Sequence, residues 1–127
     1  MTRDMELIRK ALMEIEKQVD NVAVFNLKID GYTMEQIAYH CSILYDAGMV
    51  HSYKGSYGSG ELYAFGVGRL TWEGHEFLDK IRSDTIWNKT KDVIAKHGLP
   101  MVIDVVKDIA TSIISSVTEG VIRGLIQ

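Results

Sequence analysis

The 127 residues suffice for one domain and are too few for two full ones. A composition 46% hydrophobic and 24% charged excludes a disordered or fibrous chain. Lys+Arg 14 against Asp+Glu 17 leaves a net charge of -3, which argues against a strongly basic nucleic-acid binder.

Residues 4–18 read as an amphipathic helix. Met5, Ile8, Leu12, Ile15 and Val19 recur at spacings of three and four, and Arg9, Lys10, Glu14, Glu16 and Lys17 lie off that stripe. Asp4 stands where an N-cap belongs. Residues 22–29 change period: Phe25, Leu27 and Ile29 alternate with Asn26 and Lys28, which predicts a strand. Asp30-Gly31 predicts a turn. Thr33, with Gln36 three residues on, forms the capping box of a second helix. Its buried face is Ile37, Cys41 and Leu44, flanked by Met34, Ala38 and Tyr45, and Gly48 supplies a left-handed stop.

Residues 49–54 and 61–70 read as two strands. Gly55-Ser56-Tyr57-Gly58-Ser59-Gly60 between them reads as a flexible hairpin loop. Gly66 and Gly68 share one face of the second strand and leave room for a neighbouring helix. Thr71 caps a third helix to about residue 82, with Trp72, Phe77, Leu78 and Ile81 as its apolar members. Ser83 or Asp84 opens a fourth, carrying Ile86, Trp87, Val93 and Ile94 and ended by Gly98. Pro100, the only proline, fits the first turn of a final helix reaching about residue 126.

The fold class that follows is α+β: a core of helix, strand, helix and two-stranded wing, then three C-terminal helices, the last long and amphipathic. That element order is the order of a winged-helix domain. Tyr39-His40-Cys41-Ser42-Ile43-Leu44-Tyr45-Asp46-Ala47-Gly48-Met49-Val50 looks like a recognition helix running into the first wing strand. Arg69-Leu70-Thr71-Trp72-Glu73-Gly74-His75-Glu76-Phe77-Leu78 is similar to the segment leaving the last one, where Gly74 avoids a side chain at the meeting of helix and sheet.

Beyond this pattern, the chain resembles the domain-of-unknown-function family 2513, found in bacteria and their phages and prophages. The segments that carry the resemblance are Thr2 through Lys10, Gly31-Tyr32-Thr33 with Tyr39-His40, and Leu70 through Trp87-Asn88-Lys89. It implies a winged-helix-like core and a mobile-element context, and no particular activity. Residues 1–98 are then the winged-helix-like domain and residues 99–127 a C-terminal oligomerisation helix. One departure stands out. A winged helix ordinarily has a bracing helix before the recognition helix, and here a single capped helix follows the first strand directly.

DNA recognition needs side chains that reach base edges and cations that neutralise phosphates. Residues 33–47 contain no lysine and no arginine, and Glu35 and Asp46 lie on the outer face. The candidate DNA contacts are therefore Gln36, Tyr39, His40 and Ser42 of the helix with Lys54, Tyr57 and Arg69 of the wing. The structural alternative for Tyr39 and His40 is that Tyr39 covers the hairpin and His40 hydrogen-bonds within the domain.

In the last helix Val102, Val106, Ile109, Ile113 and Val117 form one stripe, widened by Ile103, Ala110, Ile114, Val121 and Leu125. A helix of this length would be about 40 Å long, more than a small core is wide. Some six exposed aliphatics would forfeit on the order of 10 kcal/mol, comparable with a domain's whole stability. The overhang is therefore expected to meet a second copy of the chain. Val106, Ile109, Ile113 and Val117 would supply its apolar contacts, with Gly120 and Gly124 letting the backbones approach. The alternatives are folding back onto its own core and binding a membrane surface or a host protein.

The charged N-terminus has no signal-peptide core, and the aliphatic, charge-free stretch 109–118 is about half the roughly 20 residues that span a bilayer, so no integral membrane span is expected. The lone Cys41 fits a reducing, cytoplasmic setting. No cofactor or metal site is expected: His75 and Asp79 have i, i+4 spacing but no third ligand nearby. The Gly-Ser loop has no lysine and precedes a strand, unlike a phosphate loop. The chain reads as a non-enzyme. Its leading reading is an oligomeric, phage- or prophage-related transcriptional regulator or accessory DNA binder. The alternative is a protein-interaction module for a host or phage protein, with no DNA contact.

Overall fold

The computed structural model describes residues 1–126; residue 127, the last of the expected oligomerisation segment, lies outside the described residues. In chain order the elements are α1 (Met5–Gln18), β1 (Ala23–Phe25), α2 (Met34–Asp46), β2 (Tyr53–Gly58), β3 (Glu61–Gly68), α3 (Trp72–Ile81), α4 (Asp84–Lys96) and α5 (Ile103–Ile126). The fold is α+β, with an antiparallel sheet ordered β1-β3-β2 and a long C-terminal helix. The chain forms two compact units, Met1–Leu78 and Asp79–Gln127.

In the first unit the capping chemistry matches the sequence reading. Asp4 Oδ1 accepts from the Glu6 and Leu7 amides at 2.9 and 3.4 Å. Thr33 and Gln36 form a complete capping box. Leu7, Ile8, Leu12 and Ile15 of α1 and Ile37, Cys41 and Leu44 of α2 are buried, and the two helices pack together. No helix lies between β1 and α2: among the described residues, that connection holds only the turn at Asp30-Gly31.

The sheet departs from expectation in four places. The strand expected from residue 49 begins only at Tyr53, and Val50 makes an isolated bridge to Leu70. The predicted strand over 22–29 is only three residues long. Asn26, at φ 53, takes the chain out of the ladder while its amide donates to the Phe65 carbonyl and its side-chain oxygen accepts from the Phe65 amide, at 2.8 and 2.9 Å. The expected flexible loop 55–60 is mostly strand: β2 runs to Gly58, which pairs with Glu61. Only Ser59 and Gly60 turn, both left-handed at φ 54 and 81, the two-residue geometry that suits the twist of a hairpin. Gly66 faces no helix; a Cβ there would lie 2.9 Å from the ring of Phe25, which covers it from β1.

In the second unit α4 packs against α5, burying Trp87, Thr90 and Ile94 with Val106 and Ala110. The fourth helix, placed with the N-terminal domain on sequence, is thus a packing partner of the last. Pro100 lies outside the final helix, which begins at Ile103. Trp72, expected among the apolar members of α3, is exposed.

Cys41 is fully buried, and burial alone pushes its thiol up to about 12. The raised value favours the folded state below the ordinary thiol range near 8.5, and that contribution is lost as pH climbs from there toward 12. At pH 8 the native protein should release no chromophore from a thiol-exchange reagent such as DTNB, whereas the unfolded protein should titrate its one cysteine; rapid native reaction would refute the burial argument.

Candidate functional site

A groove of about 560 Å³ lies between the outer face of α2 and the β2–β3 hairpin. The helix supplies Glu35, Ala38, Tyr39 and Ser42, residues three, four and seven apart and hence on one face. The hairpin supplies Tyr53, Tyr57, Glu61 and Leu62. Tyr57 pairs with Leu62 across the ladder, past a bulge at Ser56/Tyr57. The two residues and Tyr53 converge over Gly55, where a Cβ would lie 3.1 Å from the Tyr53 hydroxyl and the Tyr57 ring and 3.3 Å from Leu62. Tyr53 stacks on the buried Phe65, ring centroids 6.3 Å apart. Burial, then the neighbouring Tyr57, pushes its hydroxyl above the usual phenol range.

The groove lining is acidic and aromatic. Glu35 and Glu61 are both exposed, three tyrosines stand between them, and no lysine or arginine lines the space among the described residues. Met1 completes the lining, and two carboxylates on facing walls repel a phosphate.

Of the seven candidate DNA contacts, Tyr39, Ser42 and Tyr57 line this groove, and Gln36, His40, Lys54 and Arg69 do not. His40 is removed from any contact surface: it is 2% exposed and both ring nitrogens are engaged. Its Nε2 accepts from the Asp4 amide at 2.8 Å, so Nδ1 carries the proton and donates to the Gln36 carbonyl at 2.7 Å. Gln36 spends its side-chain oxygen on the Thr33 amide at 2.9 Å. Lys54 and Arg69 are exposed.

His40 belongs to a latch that ties three resemblance-bearing segments together. Asp4 caps α1, takes a 3.4 Å hydrogen bond from the Tyr32 hydroxyl on Oδ2, and donates its amide to His40. Lys10 Nζ lies 5.5 Å from the centre of the Tyr32 ring. Burial, followed by the Asp4 carboxylate, raises the Tyr32 hydroxyl above its ordinary value. These contacts are structural: they hold the start of α1 onto α2.

His75 and Asp79, the i, i+4 pair, each meet a different side chain. His75 Nδ1 lies 3.5 Å from Glu16, and Asp79 accepts from Arg82 at 2.8 Å. The sequence reading, which counted Tyr53 with Tyr57 among the wing's side chains, missed Glu61 and Leu62 as site residues. Their signal was the Ser59-Gly60 turn, which sets the register that pairs Tyr57 with Leu62.

Along α5, Val106 and Ala110 are buried, Ile109, Ile113 and Ile114 are half-buried, and every residue from Ser115 to Ile126 is exposed. Val117, Gly120 and Gly124 of the predicted interface thus stand free in the single chain, and a Cβ on either glycine would meet nothing within 4 Å. By length and composition α5 is long and apolar enough to cross a membrane. Its first eight residues hold the two side chains buried with α4, however, and the 16 from Thr111 to Ile126 fall short of the roughly 20 a span needs.

The chain matches the family described as "Hypothetical protein (DUF2513)" over residues 2–100. It is 38% identical over 118 residues to an "Uncharacterized protein" of Haemophilus influenzae, covering 91% of this chain and 97% of that relative. No solved structure matches it.

Proposed function

The chain belongs to the family described as hypothetical protein (DUF2513), and we propose that it is a winged-helix-like protein-interaction module. In this reading the groove between α2 and the β2–β3 hairpin grips a segment of a host or phage protein, and the exposed end of α5 pairs two copies. The observation that carries the reading is the groove lining: among the described residues, Glu35 and Glu61 face it with three tyrosines and no lysine or arginine, where a winged helix would lay its recognition helix and wing on DNA. A phosphate chain bridging helix and hairpin would approach both carboxylates, and α2 has no lysine or arginine to offset them. The same walls suit a peptide. Tyrosines offer large contact area at low entropic cost, and the groove falls within the usual 300–1,000 Å³ of binding clefts.

One observation favours the DNA-binding regulator as the second reading: Lys54 and Arg69 are exposed at the hairpin. Filter binding with sheared genomic DNA at low salt separates the two. The interaction module should show no retention, whereas retention that falls steeply with added salt would establish the DNA binder instead. In cells that express the protein, a photo-crosslinking residue at Ser42 or Tyr57 should capture a discrete partner that one at Lys17, exposed on α1, does not.

A further inference from the structure

We infer that the partner segment binds as an extended strand added to the free edge of β2, antiparallel to it, with an acidic side chain opposite Lys54. This rests on the reading of the groove as a partner site and specifies the shape and charge of what docks there. The sheet order β1-β3-β2 leaves β2 with one bare edge. The direction of its backbone groups follows from β3. The Phe65 amide and carbonyl bond to Asn26, on the β1 side. Direction alternates along a strand, so Ala64 and Gly66 turn their groups to β2, where they pair with Ser56 and Lys54. Tyr53 and Gly55 therefore point their amides and carbonyls away from the sheet, and among the described residues no backbone hydrogen bond from another element reaches them. Two donors and two acceptors in register are what a further strand takes up. The opposite edge offers less, because β1 has three residues and ends where Asn26 turns left-handed. Side chains of an added strand alternate between two faces. One set lies on the face of Tyr53, whose ring lines the groove with that of Tyr57. The other lies on the face of Lys54, which is exposed and forms no ion pair among the described residues. A carboxylate directly across the ladder gains from that lysine, whereas a second copy of β2, with Tyr53 opposite Gly55, would set Lys54 against Lys54.

The test titrates two capped eight-residue peptides, alternating Val-Glu and alternating Val-Lys, into the isotope-labelled full chain, followed by NMR. The Val-Glu peptide should move the amide resonances of Tyr53 and Gly55 and slow their hydrogen exchange. It should bind at least about threefold more tightly than the Val-Lys peptide. That order runs against the chain's net charge of -3, so general attraction cannot produce it. Lys54→Glu, at an exposed position, should reverse the order. N-methylation of the peptide's valines, which sit opposite Tyr53 and Gly55 and donate to them, should cost at least about tenfold. N-methylation of its glutamates, whose amides point outward, should cost little. Equal losses from the two methylations, or tighter binding of the Val-Lys peptide to the wild-type chain, would overturn the inference. Shifts at Tyr39 and Ser42 with none at Gly55 would overturn strand addition and leave the groove reading standing. If neither peptide perturbs the β2 edge or the groove, both readings fall.

Discussion

Replacing Gly74 with alanine should lower the melting temperature by roughly 10 °C, although the same change in an ordinary helix interior stabilises by about 0.5–1 kcal/mol. The sign reverses because of what lies beside this position in α3. A Cβ at residue 74 would run into the Met49 carbonyl oxygen, with the Met49 carbonyl carbon at 3.1 Å and Leu70 Cβ at 3.4 Å. That carbonyl cannot step aside. It accepts the Thr71 amide at 3.0 Å, while the Thr71 hydroxyl donates to the Gly48 carbonyl at 2.5 Å and accepts the Gly74 amide at 3.1 Å. Moving it would break the cap that starts the helix and the bond that ties the helix to the end of α2. Overpacking of this kind costs about 1–3 kcal/mol, and more when the obstacle is backbone. A net loss of about 2 kcal/mol shifts the midpoint by roughly 4–8 °C per kcal/mol in a domain this small. Valine should cost more, since it adds χ1 restriction to the same clash. Circular-dichroism melting curves decide it, and a midpoint at or above the wild-type value would refute the close approach.

Gly74 also shows which parts of the fold are legible in the sequence. Local chemistry is: the Asp4 and Thr33 caps and the Gly48 and Gly98 stops follow from residue type and spacing alone, while the close approach at Gly74 is implied by the resemblance of residues 69–78 to the segment leaving a wing. They depend on one turn of backbone or on one neighbouring element. Non-local pairing is not. The Gly-Ser stretch 55–60 has the composition of a loop, and only pairing with β3 makes most of it strand. The period-two pattern over 22–29 was genuine but was outweighed when Asn26 left the ladder, exposing Phe25 and burying Leu27. The site follows the same division. Tyr39, Ser42, Tyr53 and Tyr57 are visible as residues of a helix and wing, whereas Glu61 and Leu62 join them only through the hairpin register. For His40 the sequence left two roles open, a contact residue or a hydrogen bond within the domain, because the acceptor role of its Nε2 depends on Asp4, 36 residues away.

Deleting residues 116–127 should convert a self-associating protein into a folded monomer. The position of the cut follows from the burial along α5. Val106 and Ala110 are core, and Ile113 and Ile114 are half-covered, so a cut before residue 111 would damage the α4–α5 packing as well. After Ser115 the helix makes no such contribution and instead exposes Val117, Val121, Ile122, Leu125 and Ile126, the last two at 81% and 80%. Val117, Val121 and Leu125 continue the row of Ile113 at intervals of four. The row of Ser115, Glu119 and Arg123 lies on the opposite side, where Arg123 reaches Glu119 at 4.0 Å. A row this apolar is costly in water: burying Val117, Val121 and Leu125 of both copies returns on the order of 10 kcal/mol at about 1.5–3 kcal/mol each. Association costs roughly 4–15 kcal/mol in lost freedom, but two copies each contribute the stripe, so a dimer in the micromolar range is expected. Analytical ultracentrifugation from about 1 to 100 μM should therefore show a concentration-dependent dimer for the full chain. The truncated chain should sediment as one species of monomer mass with an unchanged far-ultraviolet spectrum per helical residue. Val121→Glu with Leu125→Glu should reproduce that result without shortening the helix, because a carboxylate at the centre of each stripe would face its own copy across the interface. A full-length chain that stays monomeric at 100 μM would exclude self-pairing and leave the stripe for a lipid surface or another protein, which co-sedimentation with anionic vesicles would separate.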